Sequence, residues 1–197
     1  MKKIKKIIIG TNNDGKYREL SDLLPNNIVK YSPKEFQLKT PKENGKTFEE
    51  NSFIKASYFS NETNLVCLAD DSGLEIDLLG GSPGIYSARW AGAKKNFNFA
   101  INKVFKEMGK IKKNWEDENS ARFICCLTLC WPNGKSYTSR GIANGKIIKK
   151  KRGSNGFGYD PIFIPKGKRL TFGEMESQKK FKIDHRSNAF KKIKKFF

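Results

Sequence analysis

The sequence predicts an α/β protein, because strand-like and helix-like segments alternate along the chain with hairpins mixed in. Residues 3–10 form a β-branched run typical of a strand, a polar turn follows, and residues 17–24 have a helical pattern that stops at Pro25. A second helix is predicted from Thr47 to about residue 60, since Thr47 and Glu50 have the spacing of a capping box. These observations favour a sheet with helices packed on it.

Turn residues and apolar runs predict the remaining elements. The predicted strands are residues 28–31, 65–69, 74–79, 122–131, 135–142 and 145–151, with an acidic turn between the second and third and a hairpin turn at residues 132–134. A helix is predicted at residues 97–108, and a glycine-rich loop at residues 153–165 runs into a short strand. Thr171 and Glu174 offer a second capping box, and Asp184 is expected to cap a last helix through Ile193.

The chain is strongly basic, with 39 Lys and Arg against 20 Asp and Glu in 197 residues, a formal net charge of +19. Its 37% hydrophobic and 30% charged residues are typical of a globular domain. A positive field attracts polyanions, and nucleic acid, an acidic membrane and a small polyphosphate all fit it. A basic nucleic-acid-binding protein is therefore one hypothesis for the function.

Cysteine usage and hydropathy exclude several classes of protein. Three of the four cysteines share one apolar stretch, His185 is the sole histidine, and zinc-ligand spacing is absent, so we expect reduced core thiols in a cytoplasmic protein. The apolar run at residues 7–9 is too short for the core of a signal peptide, and no segment approaches the length that spans a bilayer.

Two adjacent carboxylates, Asp70 and Asp71, stand out in this basic chain, followed by Ser72 and Gly73 between apolar runs. Neighbouring carboxylates repel each other, so they persist where a cation, a proton or several donors hold them. Mg²⁺ bound through carboxylate oxygens alongside substrate phosphates is one such arrangement. The alternative is an ordinary acidic turn, since Asp, Ser and Gly are common turn residues.

Three other polar clusters lie at predicted strand or helix ends. Residues 11–16 combine backbone N–H groups, a hydroxyl, amides and Lys16, and this set suits a phosphate at a helix N-terminus. The spacing of a Walker motif is absent, and an ordinary turn is equally consistent with these residues. The loop 153–161 is rich in glycine and offers Phe157 or Tyr159 for stacking on a base. His185 and Arg186 could contact the edge of a base, or His185 could be an ordinary surface histidine. Phosphate, metal and base together indicate a nucleoside triphosphate.

At this point the sequence resembles the Ham1-like inosine triphosphate pyrophosphatase family. The resemblance follows the chain in order through Thr11-x-Asn13-x-x-Lys16-x-x-Glu19-Leu20, Thr47-Phe48-x-Glu50-Asn51, Lys55-Ala56, Ala69-Asp70-Asp71-Ser72-Gly73-Leu74, Pro83-Gly84-Ile85-Tyr86-Ser87-Ala88-Arg89, Gly156-Phe157-Gly158-Tyr159-Asp160-Pro161, Glu174-Met175 and His185-Arg186-x-x-Ala189. These motifs span nearly the whole chain, and several are long enough to be specific.

The resemblance implies hydrolysis of ITP, dITP and XTP between the α- and β-phosphates, which clears deaminated purines from the nucleotide pool. It implies Asp71 as the proton acceptor, Mg²⁺ as cofactor, and Glu43 and Asp71 as metal ligands. The substrate-binding residues that it implies are Thr11, Asn12, Asn13, Asp14, Gly15, Lys16, Lys55, Ser72, Phe157, Gly158, Tyr159, Asp160, Lys180, His185 and Arg186. Among these, Lys16 is expected to be the principal phosphate cation, and Phe157 is expected to stack on the base. Lys180, His185 and Arg186 are expected to face its 6-oxo side.

The resemblance also implies the architecture: a single domain over residues 1–197, with a long mixed sheet flanked by helices and an active-site cleft between two lobes. It implies a homodimer, with neither a stable nucleic-acid partner nor a membrane. Asp184 departs from the serine that the family commonly has there, and adds negative charge near the predicted base pocket. A related pyrophosphatase acting on pyrimidine or modified nucleotides remains an alternative.

Overall fold

A computed structural model describes residues 3–197 and shows one six-stranded sheet with helices packed against it. The strands are β1 (Lys6–Ile9), β2 (Val29–Tyr31), β3 (Val66–Ile76), β4 (Ser120–Cys130), β5 (Ser136–Ile147) and β6 (Phe163–Pro165), in the order β2-β1-β3-β4-β5-β6. The helices are α1 (Asp14–Leu23), α2 (Phe48–Thr63), α3 (Phe97–Ile111), α4 (Ser177–Phe181) and α5 (His185–Ile193). Strand β1 pairs in parallel with β2 and β3, whereas β5 and β6 are antiparallel, so the sheet is mixed as expected.

The predicted start signal of α2 is confirmed, whereas α1 begins earlier than predicted. The side chain of Asn13 accepts a hydrogen bond from the Lys16 amide, so α1 begins three residues earlier than the apolar pattern predicts. Thr47 accepts from the Glu50 amide as predicted, but the Glu50 carboxylate accepts from the amide of Lys46 rather than from that of Thr47. The capping box is therefore shifted by one residue on its carboxylate side.

The prediction of two strands around an acidic turn at residues 70–73 is wrong. β3 runs unbroken from Val66 to Ile76 and contains both aspartates, Ser72 and Gly73. The cause is tertiary, because β3 pairs with β1 and the side chains of both aspartates meet cations on other elements. Local turn propensity is overridden where such contacts fix the backbone.

The predicted break between strands at residues 142 and 145 is also wrong, since β5 continues through Gly145 to Ile147. Gly145 pairs with Pro165 of β6, and a side chain there would collide with the carbonyl oxygen of Ile164. Glycine therefore allows close approach of two strands rather than a turn. Thr171 and Glu174 exchange their predicted hydrogen bonds, but they close a turn and no helix follows directly.

Two compact units divide the chain. Unit 1 consists of the residues up to Asp71 together with Cys125–Gly141 and Arg186–Phe197, and unit 2 consists of Ser72–Ile124 and Ile142–His185. In unit 1 the successive isoleucines of β1 alternate, with Ile7 and Ile9 in one apolar cluster and Ile8 in another. This burial of both faces is typical of a parallel strand inside a sheet. The core of unit 2 includes Phe123, Phe163 and Phe172.

All four cysteines are buried, and none is joined in a disulfide within residues 3–197. Across the same residues, none of the helices is both long enough and apolar enough to cross a membrane.

The close contact at Gly145 predicts a stability difference between two glycine substitutions. Gly145→Ala should lower the free energy of unfolding by about 1–3 kcal/mol, because its methyl group must displace the backbone of β6. Gly109→Ala is the matched control: Gly109 lies within α3, nothing lies near its added methyl group, and alanine should stabilise the helix by about 0.5–1 kcal/mol. Denaturant unfolding measures both, and a Gly145→Ala variant as stable as the wild type would contradict the prediction.

Candidate active site

Asp70 and Asp71 are adjacent in sequence but have different partners. Successive side chains of a strand leave on opposite faces of the sheet. Asp70 accordingly meets Lys16 of α1 and Arg186 of α5, whereas Asp71 meets Lys55 of α2. The two carboxylates therefore form direct ion pairs with different cations.

Asp70 lies in a buried ion-pair network. Its Oδ2 atom is 2.9 Å from the Arg186 guanidinium and 3.3 Å from Lys16 Nζ, and Arg186 also pairs with Glu19. The side chain of Asp70 is fully buried, and Arg186 is 1% exposed. Burial alone would raise the pKa of Asp70, but Lys16, Arg186 and Lys55 hold this pKa well below its usual range. Asp70 is therefore a carboxylate anion whose partners are protein cations.

Lys55 joins Asp71 to Glu43. Its Nζ atom lies 3.1 Å from Asp71 Oδ1 and 3.0 Å from Glu43 Oε2. Burial alone would lower the pKa of Lys55, but Asp71, Glu43 and Asp70 raise it above the ordinary value, so the ammonium stays charged. Burial raises the pKa of Asp71, and Glu43 adds to the rise, although Lys55 and Lys16 oppose it. A carboxylate of raised pKa is a stronger base than a solvated aspartate.

The segment that carries Glu43 is fixed by the start of α2. Asn51, which is 1% exposed, accepts the amide of Gly45 through its side chain, while Glu50 accepts the amide of Lys46. A side chain at Gly45 would press on Glu50 and Asn51. The capping residues of α2 therefore do more than begin a helix, because they also hold the loop that brings Glu43 to Lys55.

The loop before α1 is organised by its own polar side chains. Asn13 caps the helix, and its amide donates to Thr11 Oγ1 at 3.1 Å. Asn12 donates from Nδ2 to the carbonyl oxygen of Leu38 and to the hydroxyl of Thr40, and its buried Oδ1 has no hydrogen-bond partner within residues 3–197. Asp14 and Gly15 form the first turn of α1, where Asp14 pairs with Lys34 at the surface. The loop thus ends in a helix N-terminus beside Lys16, as the sequence predicts.

In unit 2, the glycine-rich loop 153–160 is held by the carboxylate of Asp160. Its Oδ2 atom accepts the Phe157 amide at 2.9 Å and lies 2.7 Å from Lys180 Nζ, and both Asp160 and Lys180 are almost fully buried. A side chain at Gly156, where φ is +72°, would collide with the same carboxylate. Lys180 Nζ also lies 5.4 Å from the centre of the half-buried Phe157 ring. The predicted base-binding residues Phe157, Asp160 and Lys180 are therefore in mutual contact.

The remaining predicted residues of unit 2 have defined surroundings. His185 is 5% exposed and stacks on Phe123, with ring centres 4.9 Å apart, so it is not a surface histidine. The Tyr159 side chain is 2% exposed, and its hydroxyl donates to the Ser87 carbonyl oxygen at 2.9 Å. Gly158 lies against the ring of Phe97, and Asp184 is fully buried directly before α5. Ser72 directly follows Asp71 on β3.

The donor set around Asp71 fits Mg²⁺. Asp71 Oδ2 is buried and has no hydrogen-bond partner within residues 3–197, while Oδ1 is engaged by Lys55. Glu43 supplies a second, partly exposed carboxylate that meets the same ammonium as Asp71. No group of three or more His, Cys, Asp or Glu side chains in the described part of the chain could hold a metal. Two carboxylates nevertheless suffice for Mg²⁺, which commonly keeps several waters and binds substrate phosphates.

A model of the Ham1 family matches residues 7–196. The chain belongs to the Ham1 family. It is 44% identical over 199 residues to a dITP/XTP pyrophosphatase of Bacillus licheniformis, covering 96% of each chain, and 41% identical over 201 residues to one of Bacillus subtilis, covering 98% of this chain and 96% of that one.

Solved structures of the Ham1 family agree with the fold. A Ham1 protein of Coxiella burnetii is 34% identical, with a TM-score of 0.87 over 98% of both chains. The Ham1 protein of Staphylococcus aureus is also 34% identical, with a TM-score of 0.84 over 98% of this chain and 97% of that one. The predicted α/β class and the predicted family are both confirmed.

The sequence interpretation missed three supporting residues of this Ham1-family site. Glu19, Asn51 and Ser87 all lie in motifs of the family resemblance, but none has an assigned role there. Two of them act through partners distant in sequence: Glu19 through Arg186, and Ser87 through Tyr159. Such contacts leave no periodicity that a single sequence reveals.

The buried network predicts that Arg186 is far more important for stability than an exposed arginine. Arg186→Met should lower the free energy of unfolding by about 3–5 kcal/mol, because Asp70 and Glu19 lose a buried counter-charge. Arg122→Met is the matched control, since Arg122 also pairs with two carboxylates, Glu75 and Asp77, but is about one-third exposed. Its loss should cost at most about 1 kcal/mol. If urea unfolding showed equal losses of unfolding free energy for the two variants, the buried network would add nothing to stability.

Proposed function

We propose that this Ham1-family protein hydrolyses the triphosphates of deaminated purines, namely dITP, XTP and ITP, to the monophosphate and pyrophosphate. The observation that carries the proposal is the state of Asp71: one oxygen is held by Lys55, while the other is buried with no hydrogen-bond partner among residues 3–197. Related proteins over nearly the same length are dITP/XTP pyrophosphatases. Such an enzyme removes damaged purines from the nucleotide pool.

In this proposal the triphosphate is bound by cations and by a helix N-terminus. Lys16, in the first turn of α1, and Lys55, in the middle of α2, supply positive charge close to Asp71. Thr11, Asn12, Asn13, Asp14 and Gly15 shape the loop that ends in the N-terminus of α1, where backbone N–H groups and the helix dipole favour phosphate. Ser72 adds a hydroxyl and an amide directly after the catalytic aspartate.

Asp71 is the proposed proton acceptor. Water attacks the α-phosphorus. The bond from this phosphorus to the oxygen that bridges the α- and β-phosphates breaks, and pyrophosphate leaves with that oxygen. The Asp71 carboxylate takes the proton of the attacking water, while Lys55 fixes its orientation through Oδ1. Because burial raises the pKa of Asp71, the carboxylate gains basicity for this step.

Glu43 and Asp71 are the residues proposed to hold Mg²⁺. When bound, the ion would neutralise phosphate oxygens and act as a Lewis acid. Lys55, which meets both carboxylates, keeps Glu43 and Asp71 oriented toward one place.

The base is proposed to bind the glycine-rich loop 153–160 and the residues Lys180 and His185. Phe157 supplies a ring for stacking, and Lys180 and His185 supply donors for a 6-oxo group, with Gly158, Tyr159 and Asp160 completing the loop. An oxygen at the six position accepts a hydrogen bond that the amino group of adenine cannot accept, and such a difference can discriminate by roughly 10⁴. Arg186 is expected at the same side of the base, but its guanidinium is engaged by Glu19 and Asp70, so we propose support of Asp70 as its main role.

A nucleotide panel tests the proposed reaction. The wild-type protein with Mg²⁺ should release pyrophosphate from dITP, XTP and ITP much faster than from ATP, dUTP or dTTP, and a chelator should abolish release. GTP, which carries the same 6-oxo group, is measured beside them. Pyrophosphate detection and chromatography of the monophosphate measure the outcome. Preference for a pyrimidine nucleotide would favour the related pyrophosphatase, and salt-sensitive DNA or RNA binding without turnover would favour the nucleic-acid-binding alternative.

Replacement of the catalytic carboxylate gives a sharper test of the mechanism. Asp71→Asn should lower kcat by about 10²–10⁴-fold, because the amide cannot accept the proton of water. Asp77→Asn is the control: Asp77 is half exposed, pairs with Arg122, and its loss should leave turnover near the wild-type rate. Circular dichroism should show both variants folded. A folded Asp71→Asn variant that retains its activity would refute the assignment.

We further propose that the enzyme is a cytoplasmic homodimer without a stable nucleic-acid partner. Buried, reduced thiols are consistent with a reducing compartment.

A further inference from the structure

Resting on the proposed function, we propose that Ser87 and the Tyr159 hydroxyl are positioning groups for base recognition. They tie the glycine-rich loop 153–160 to the strand segment that follows Ser72, and this tie sets the affinity for the base. Ser87 belongs to the segment 83–89, to whose motif the sequence alone assigns no chemistry. All residues in the argument belong to unit 2.

Ser87 connects three parts of unit 2 through two of its atoms. Its side-chain oxygen accepts the amide of Leu74 in β3 at 2.9 Å and donates to the carbonyl oxygen of Gly84 at 2.7 Å. Its backbone carbonyl oxygen accepts the Tyr159 hydroxyl at 2.9 Å. Ser87 is 5% exposed, so water does not readily replace these bonds. The strand two residues after Ser72 is thereby linked to the loop through one serine.

Tyr159 is placed to act through this bond rather than by contacting the ligand. Its side chain is 2% exposed, and its ring meets Phe97 edge to face at 5.5 Å. Burial raises the pKa of Tyr159, so the hydroxyl remains a hydrogen-bond donor at any working pH. The residue that looks in sequence like a second stacking ring is therefore an internal anchor.

Two consecutive side chains, those of Tyr159 and Asp160, anchor the loop beside the backbone hydrogen bond from the Asn155 amide to the Gly173 carbonyl oxygen, and they differ in what they hold. The Asp160 carboxylate accepts hydrogen bonds from the Phe157 amide and from Lys180. The Tyr159 hydroxyl instead donates to the carbonyl oxygen of Ser87, in the segment 83–89. Loss of the Tyr159 hydroxyl should leave the internal geometry from Asp160 intact and loosen the position of the loop relative to Ser87. Phe157, the half-buried ring proposed to stack on the base, moves with the loop. The triphosphate-binding residues Lys16 and Lys55 are not part of this link.

The test compares Tyr159→Phe with Tyr137→Phe, a control at an exposed tyrosine of β5. For Tyr159→Phe we expect the KM for dITP and XTP to rise about 3–10-fold, as for loss of one buried hydrogen bond, with kcat changed less than about twofold. Inhibition by inorganic tripolyphosphate should not change. Backbone amides of residues 153–158 should exchange hydrogen about 3–10-fold faster. Tyr137→Phe should match the wild type in all four measurements.

A second variant, Ser87→Ala, keeps the carbonyl oxygen but removes the bonds to Leu74 and Gly84. Its KM should rise in the same direction, and the double variant should show a smaller KM rise than the product of the single rises, because both act on one loop. An unchanged KM for Tyr159→Phe, an equal loss of tripolyphosphate inhibition, or independent effects of the two substitutions would overturn the proposal. A wild-type protein that hydrolyses no nucleotide would refute the proposed function instead, and hydrogen exchange would then decide the anchoring alone.

Discussion

The alternation of side chains along β3 is the constraint on which the candidate site depends. It places Asp70 and Asp71 on different sets of partners, so that two adjacent acids can be buried without sharing one space. A shift of one residue in the pairing of β3 with β1 would exchange their surroundings. The pairing of two buried parallel strands therefore fixes which carboxylate is neutralised by Arg186 and which faces Lys55 and Glu43.

The carboxylates around this strand are paired with cations of the same fold. Glu19, Glu43, Asp70 and Asp71 form ion pairs with Lys16, Lys55 and Arg186. Burying ions is costly unless each finds partners, and at Asp71 one carboxylate oxygen has no hydrogen-bond partner among the described residues. Arg186 thus pairs with Asp70, whereas Asp71 keeps one carboxylate oxygen without a hydrogen-bond partner among the described residues.

Local sequence signals predicted the parts of this arrangement that are local. The cap at Thr47 predicted α2, the apolar pattern of residues 17–24 predicted α1, and the β-branched run before Gly10 predicted β1, each within a few residues. The prediction at the acidic segment was wrong, because turn-forming residues stand inside a strand that continues beyond its pairing with β1. Ion pairs between residues that are distant in sequence could not be predicted from local patterns either. Arg186 pairs with Glu19, 167 residues away, and no short stretch of sequence contains both. Family resemblance placed Asp71, Lys16 and Lys55 at a common site, yet it carried no information on what Ser87 or Asn51 hold.

The basic surface and the acidic strand make separate contributions. A net charge of +19 raises the local concentration of any polyanion, so it speeds encounters with nucleotides as much as with nucleic acid, and added salt weakens both effects. Selection among polyanions therefore requires contacts within the fold. In the proposed function, the buried Asp71 and Lys55 pair binds the triphosphate, and the loop held by Asp160 and Tyr159 binds the base. Since exposed lysines are solvated and flexible, their number can change without changing either contact, whereas a single change at β3 alters the chemistry.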